Sequence, residues 1–457
     1  MSVDNVIDLA TRQAVNLTDV GNGKRIVARH GENLRYLDLW NKWLTWDGQR
    51  WADDNLRQAE AWMKETLQAL AADALEIADD KQRKQTLRHA LASEGAGRVR
   101  GGLDMAKSEP GIPIDPDMLD PDPLLLNLAN GTYDLATETR RPHDRHDLLT
   151  KLAPVTHNET ATSPTWDTFL ERILPDPNVR RYVQQLVGYS LTAKTGEQIL
   201  PILYGSGANG KTTFLETIRT MLGDYGQVAP ASVFVDQKEG IPNDIARLRG
   251  ARFVMVSEIS EGKRLNEALV KRLTGGDTLT ARFLRAEFFE FKPQFKAWLA
   301  TNHKPEIRGT DEAIWRRIRL IPFTVTIPEN ERDEDFPNKL LAELPGILNW
   351  ALAGYMDWTA NRLTTPTSVL AATQEYRAES DLIGGFLAER CEHIPEGWVR
   401  NGEIHAAYNT WAAANGGDEL TPKAFSQRMA EKGYRAHRTK SAGRVWLEIE
   451  LQQSEQN

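Results

Sequence analysis

The chain has one cysteine, Cys391, in 457 residues. No intrachain disulfide can form, and a four-cysteine metal site is excluded. Apolar runs are short: none approaches the roughly 18–20 residues that would span a bilayer. Met1 to Asn16 carries no apolar core of the kind a secretory leader needs. The expectation is a cytoplasmic protein with no membrane partner. An excess of positive charge is also lacking, since 56 Lys and Arg stand against 64 Asp and Glu, a formal net charge of −8. A protein that coats nucleic acid indiscriminately would carry a strongly basic balance. A motor needs only a local basic surface.

Two stretches are locally basic. One runs from Lys81 to Lys107, with Arg83, Lys84, Arg88, Arg98 and Arg100; the other runs from Lys423 to Arg444. Each reads either as a solvated face or as a nucleic-acid contact. Apolar content of 40 % is enough for real cores, and the length suggests about two to four domains. Trp40, Trp43, Trp46 and Trp51 crowd around the turn signal Asp47-Gly48. They read as a small core or as stacking platforms for bases. Residues 54–92 carry helical patterning. Five prolines among acids between Glu109 and Pro123 have the composition of a linker, and Asn130-Gly131 marks a hairpin. Trp166 to Ala193 reads as two helices broken at Pro175 and Pro177. From Ile199 onward, apolar runs alternate with helical segments, the mark of an α/β domain. Its candidate strands are Ile199–Leu203, Phe253–Val256, Phe295–Ala300 and Ile318–Ile321. The expected divisions are a helical region over 1–110, a linker with a small β segment over 111–165, the α/β domain over 166–365 and a separate module over 370–457.

One motif carries specific chemistry. Gly205, Ser206, Gly207, Ala208, Asn209, Gly210, Lys211 and Thr212 satisfy G-x-x-x-x-G-K-[ST], between an apolar strand and a helical run that begins at Thr213. Glycines let successive N–H groups point at phosphate oxygens, and the helix N-terminus adds partial positive charge. Lys211 would reach the β- and γ-phosphates, and the Thr212 hydroxyl would hold Mg²⁺. The next strand ends in Ser257-Glu258. Glu258 is positioned in sequence to polarise the attacking water and to share the metal with Thr212. A third strand ends in Thr301-Asn302, where an Asn would sense the γ-phosphate. Arg316 and Arg317 precede a fourth strand, and either is a candidate for an arginine offered to a neighbour's γ-phosphate. Surface ion pairing is the alternative for both.

The tail reads as helix, turn, helix and basic wing, an arrangement common among DNA-binding modules. Phe425 and Met429 share one face of the second helix. Lys423, Arg428, Arg438 and Lys440 are its candidate DNA contacts. Protein docking or oligomer stabilisation is the rival role.

These pieces, in this order, resemble superfamily 3 DNA helicases of the phage and plasmid primase–helicase type also seen in poxviruses. The residues that carry the likeness are Tyr204 to Thr213, Gly223-Asp224-Tyr225, Ser257-Glu258, Lys271 to Asp277, Ala300 to His303 and Asp311 to Arg317. Leu126 to Gly131 and Trp46 to Trp51 add weaker matches upstream. The resemblance implies an AAA+-like P-loop NTPase core, a mostly helical N-terminal region and a C-terminal winged-helix module. It implies a hexameric ring that binds ATP and Mg²⁺ between neighbouring subunits and moves along single-stranded or forked DNA. It also implies a hairpin lining the pore, for which Thr278 to Phe295 fits, with Arg282, Arg285 and Lys292 available to phosphates. The part before Lys107 is too short for the primase domain that relatives often carry, so a separate primase or other replication protein is the expected partner. The function expected is an ATP-dependent helicase replicating a phage, prophage or plasmid in the cytoplasm of a bacterial host. A loader or remodeller ATPase and a non-catalytic origin-binding protein are the alternatives.

Overall fold

The computed structural model describes residues 16–236, 243–256, 258–282, 288–309, 311–415 and 417–452. Ser257 and Arg285, both singled out above, lie outside the described residues. The chain divides into two compact units. One comprises residues 1–159 with Met221–Tyr225; the other comprises 160–220 with 226–457.

The first unit opens with helix α1 (Asp19–His30), whose Thr18 hydroxyl accepts from the Gly21 N–H at 3.1 Å. Strands β1 (Leu34–Leu37), β2 (Lys42–Trp46) and β3 (Trp51–Asp53) form an antiparallel sheet. The tryptophan cluster falls on or beside these strands: Trp51 is buried, and Trp40, Trp43 and Trp46 pack half-buried against the apolar clusters. Helices α2 (Gln58–Leu75), α3 (Asp80–Ser93) and α4 (Ala96–Ala106) follow. The first basic stretch lies on α3 and α4, where Arg83 and Lys84 both pair with Asp80 and Lys107 pairs with Asp104. Residues 109–123, read above as a linker, are packed. Ile112 and Ile114 are buried, and their backbones bond to Tyr36, with Tyr36 N to Ile112 O at 2.8 Å and Ile114 N to Tyr36 O at 3.0 Å. Proline is tolerated on a sheet edge, so its abundance there marks an edge segment and not a free tether.

A second antiparallel sheet joins β4 (Leu125–Leu128), β5 (Gly131–Asp134) and β6 (Thr139–Arg141). The hairpin expected at Asn130-Gly131 is present, with Leu128 facing Gly131 in register. Asn127, fully buried, ties this sheet down by donating to the carbonyls of Gln49 at 2.9 Å and Lys151 at 3.0 Å.

The second unit is built on a five-stranded parallel sheet. Its strands are β7 (Leu200–Tyr204), β8 (Gly226–Ala229), β9 (Phe253–Val256), β12 (Lys296–Thr301) and β13 (Ile318–Pro322), in the order β13-β7-β12-β9-β8. Strands β9 and β12 are buried along their whole length, as expected where helices cover both faces. Before the sheet come α5 (Pro164–Ile173) and α6 (Pro177–Ser190), the two proline-broken helices. Helix α7 (Lys211–Leu222) follows β7, and the short α8 (Asn243–Ala246) precedes β9. Next are α9 (Glu267–Gly275), a hairpin of β10 (Leu279–Arg282) and β11 (Phe288–Phe291), and α10 (Glu312–Trp315). After β13 come α11 (Phe336–Ala342), α12 (Leu344–Asn361) and α13 (Thr367–Ser380).

The boundary expected near residue 370 falls inside α13. That helix belongs to the sheet's core: Tyr376 is buried in the same cluster as Leu320, and the Leu320 N–H donates to Thr373 Oγ1 at 3.0 Å. The distinct C-terminal core starts after it, with α14 (Leu382–Arg390), the paired strands β14 (Cys391–Glu392) and β18 (Glu450–Leu451), α15 (Asn401–Ala414) and α16 (Pro422–Glu431). A three-stranded sheet, β15 (Trp398–Arg400), β17 (Gly443–Leu447) and β16 (Ala436–Thr439) in that order, completes it. Phe425 and Met429 are buried there with Tyr408 and Trp446. Among the described residues no helix is long and apolar enough to cross a membrane.

Candidate nucleotide site

In an open parallel sheet, ligands bind outside the carboxyl ends of the strands, where the strand order reverses. Here that place is the end of β7. Successive connections leave β7 for the far edge and return through β9 and β12, and the last strand, β13, lies on the opposite side of β7.

The loop after β7 holds a shape that its sequence requires. A Cβ on Gly205 would stand 2.2 Å from Phe323 O and 2.6 Å from Asn209 Nδ2. Gly210 has φ of 82°, where side chains are disfavoured. Asn209 is buried; its amide donates to Phe323 O at 3.3 Å, and its Oδ1 accepts from Lys211 Nζ at 2.9 Å. From outside, the Ile327 N–H donates to Ala208 O at 2.7 Å. Ser206, Gly207 and Ala208 stay exposed. A Cβ built at Gly207 meets nothing within 4 Å, so the cradle is open on its solvent side.

Lys211 is 5 % exposed. Its ammonium also donates to Gly205 O at 2.7 Å, Ser206 O at 3.3 Å and Asn302 Oδ1 at 3.1 Å. Burial pulls its pKa below the usual lysine value, and the Glu258 carboxylate opposes that shift. The amide of Asn302 in turn donates to Glu258 Oε1 at 2.6 Å. Strand order explains the convergence: β12, which ends beside Asn302, pairs with β7 on one side and β9 on the other. Asn302 therefore stands between the lysine and the acid. Phosphate oxygens can replace the acceptors now on Lys211, and Glu258, exposed, can accept a proton from water. Thr212 is exposed at the start of α7. Thr212 and Glu258 would supply two oxygen ligands to a metal ion. That suits Mg²⁺, which is usually held by one or two protein groups, phosphates and water. When bound, the ion would offset phosphate charge. Thr213 is half-buried in the first turn of α7.

The two arginines have different surroundings. Arg317 is buried, with Nε donating to Thr274 Oγ1 at 3.0 Å, Nη1 to Ala313 O and Nη2 to Gln198 Oε1 at 3.5 Å. Its guanidinium is committed to acceptors within its own chain, which leaves it less available to another molecule than Arg316. Arg316 is exposed and donates to Gln198 Oε1 at 3.0 Å. Its place rules out action on its own loop. The Leu200 N–H donates to Arg317 O at 2.7 Å, so both arginines stand at the beginning of β7 while the phosphate loop leaves its end. At about 3.3 Å per residue, roughly 15 Å of strand separates them.

In the β10–β11 hairpin, Leu279, Ala281, Phe289 and Phe291 face inward and buried, while Arg282, Phe288 and Glu290 face outward. Arg282 lies over the Phe288 ring at 4.9 Å, and Phe288 is 52 % exposed. Phe288 was not singled out in the sequence, although strict alternation in Phe288-Phe289-Glu290-Phe291 places it outward. Lys292 is exposed just past β11. In the tail, Lys423, Arg438 and Lys440 are exposed and Arg428 is half-buried. Arg444, also exposed, sits directly across from Arg438 in the β16–β17 ladder. Lys432 is taken up by Asp381. Among the described residues, no three His, Cys, Asp or Glu side chains are grouped to hold a metal.

Residues 23–175 match a family described as D5 N terminal like, and residues 203–317 match a family of unknown function, DUF5906. The chain is 29 % identical over 305 residues to "Putative helicase L207/L206" of Acanthamoeba polyphaga mimivirus, covering 61 % of this chain and 32 % of that protein. It is 25 % identical over 329 residues to "Putative primase C962R" of African swine fever virus (isolate Warthog/Namibia/Wart80/1980), covering 65 % and 34 %. The chain thus matches about a third of the length of these curated relatives. A solved structure, the apo NrS-1 C terminal region (305-718), aligns with a TM-score of 0.48 at 11 % identity, covering 94 % of this chain and 99 % of that one.

Proposed function

We propose that this primase–helicase-like chain is the ATP-driven motor of a DNA replication helicase, assembled as a hexameric ring that translocates on single-stranded DNA. The observation that carries the reading is the hydrogen-bonded line Lys211–Asn302–Glu258 across the ends of β7, β12 and β9, together with an exposed Arg316 at the far end of β7. The first holds the parts that bind and hydrolyse a nucleoside triphosphate. The second is an arginine that its own loop cannot use. A ring joins the two: Arg316 of one subunit meets the γ-phosphate held by the next, where such an arginine raises turnover by orders of magnitude.

The residues have distinct tasks in this reading. Backbone N–H groups of Ser206 to Lys211 and the Lys211 ammonium hold the phosphates. Asn302 leaves Lys211 for the γ-phosphate, and Glu258 takes the proton of the attacking water. Arg282, Phe288 and Lys292 on and beside the hairpin meet the strand by charge and stacking. The C-terminal core serves as a winged-helix DNA-binding module, with Lys423, Arg428, Arg438 and Lys440 toward phosphates. Arg285 keeps its place as a hairpin candidate on sequence grounds.

The deciding experiment is ATP-dependent unwinding of a forked DNA duplex by the purified chain, with Lys211→Ala beside it. Unwinding that disappears in the variant supports the helicase. Hydrolysis without unwinding, and without stimulation by single-stranded DNA, would replace this reading with a loader or remodeller of replication proteins.

A further inference from the structure

Helix α13 touches the segments that carry both halves of the composite site. Tyr376, 2 % exposed, donates its hydroxyl to the carbonyl of Pro305, just past Asn302. The same ring meets Trp315, the residue before Arg316, edge-on at 5.3 Å. One turn on, Glu379 accepts from Lys304 Nζ at 2.6 Å. The Lys304 ammonium lies over the rings of Tyr204, at 5.3 Å, and Tyr376, at 5.7 Å, and Tyr204 is the residue from which the phosphate loop departs. On the other side of Tyr376, Arg377 Nη1 donates to Glu312 Oε2 at 2.8 Å, in the turn that presents Arg316.

We propose that α13 is a positioning element for hydrolysis: Lys304, Tyr376 and Glu379 set the Asn302 turn of the subunit's own site, and Arg377 with Glu312 sets the Arg316 that the subunit lends to its neighbour. The inference rests on the ring reading above. The Arg377–Glu312 pair owes little of its place to stability. Glu312 is exposed and Arg377 half-buried, their side chains 71 % and 43 % accessible, and near-surface pairs of this kind contribute little to folding. Lys304 is more sheltered, and its two aromatic faces favour a cation there. What these contacts do is restrict where two short segments stand. In catalysis a displacement near 1 Å costs up to about a hundredfold in rate.

The test separates a subunit's own site from the neighbour's by mixing variants. Lys304→Met is expected to lower kcat for ATP about tenfold or more with KM nearly unchanged, and Lys304→Arg to restore it. Tyr376→Phe, which keeps the ring and removes the hydroxyl, should show a smaller fall in kcat. Equimolar Lys304→Met and Arg316→Ala subunits should regain hydrolysis, because an intact Asn302 turn from one meets an intact Arg316 from the other. Lys304→Met mixed with Lys211→Ala should not. Arg377→Met should show the reverse pattern, regaining hydrolysis with Lys211→Ala and not with Arg316→Ala. A misfolded subunit complements neither partner. Unchanged kcat in Lys304→Met and Arg377→Met, or equal complementation by both partners, would overturn the inference while leaving the motor intact. Wild-type protein without ATP hydrolysis, or with hydrolysis indifferent to Arg316→Ala, would overturn the ring reading first and this inference with it.

Discussion

The phosphate-loop end of the parallel sheet and the β16–β17 hairpin of the C-terminal core handle positive charge in opposite ways. At the loop, the Lys211 ammonium is nearly buried and every hydrogen on it has an acceptor within its own subunit. At the hairpin, Arg438 and Arg444 stand directly opposite each other, both exposed, and like charges across a ladder are unfavourable. The first cation is held ready, with acceptors that a phosphate can replace. The second pair is left with a repulsion that an anion would relieve. A buried cation must be satisfied in the resting state because desolvation is costly; a solvated one can wait for its ligand. The difference predicts a small, defined anion for the loop and an extended polyanion for the hairpin.

The strongest way to break this comparison is at Lys211. Lys211→Ala should abolish ATP hydrolysis and unwinding while leaving the unfolding midpoint within a few degrees of wild type. The reason is that Asn209 keeps its bond to Phe323 O, and Asn302 keeps Glu258. Turnover at the wild-type rate, after contaminating ATPase is excluded, would sink the site assignment. Next in size is the contrast within the arginine pair. Arg317→Ala removes a buried guanidinium from Thr274 and Ala313 and should cost about 2–3 kcal/mol of stability, the scale of buried bonds to charged groups. Arg316→Ala should leave denaturant midpoints unchanged and lower turnover by orders of magnitude, with ATP binding retained. A stability loss in Arg316→Ala equal to that in Arg317→Ala would erase the distinction between an arginine offered outward and one used internally.

Much of the candidate site was legible in the sequence, because its parts are local. A phosphate loop, an acid after one strand and an Asn after another are each read from a few adjacent residues, and β7, β9, β12 and β13 announce themselves as buried apolar runs. The fifth strand, β8, does not: Gly226-Gln-Val-Ala229 is short and half-exposed in its middle, so only pairing with β9 makes it a strand. Arg316 and Arg317 are indistinguishable by composition. What separates them is the Thr274 hydroxyl, distant in the chain, which takes up Arg317 alone. The module boundary failed for a similar reason. Thr364 to Ser368 has the look of a tether, yet α13 is held by Tyr376 and Thr373 against β13, a tertiary fact that local composition does not carry. The same holds for 109–123, where Ile112 and Ile114 between prolines outweigh the linker chemistry around them.

The smallest expected effect sharpens the other side of the comparison. Arg444→Ala leaves Arg438 without a like charge opposite it but also removes the guanidinium from over the Trp446 ring, at 5.4 Å, so the two effects should offset and the melting temperature should stay within a few degrees of wild type. The same change should weaken binding of duplex DNA and reduce the slope of log affinity against log salt by about one, because each released phosphate contact carries one counterion. Arg438→Ala should behave alike, and the double variant should lose about two units of slope. Lys432→Ala provides the contrast: its ammonium is already bonded to Asp381, so its loss should lower stability and leave the salt slope alone. A salt slope unchanged in the Arg438→Ala and Arg444→Ala variants would mean that this hairpin faces something other than a nucleic-acid backbone, and the docking role for the C-terminal core would take its place.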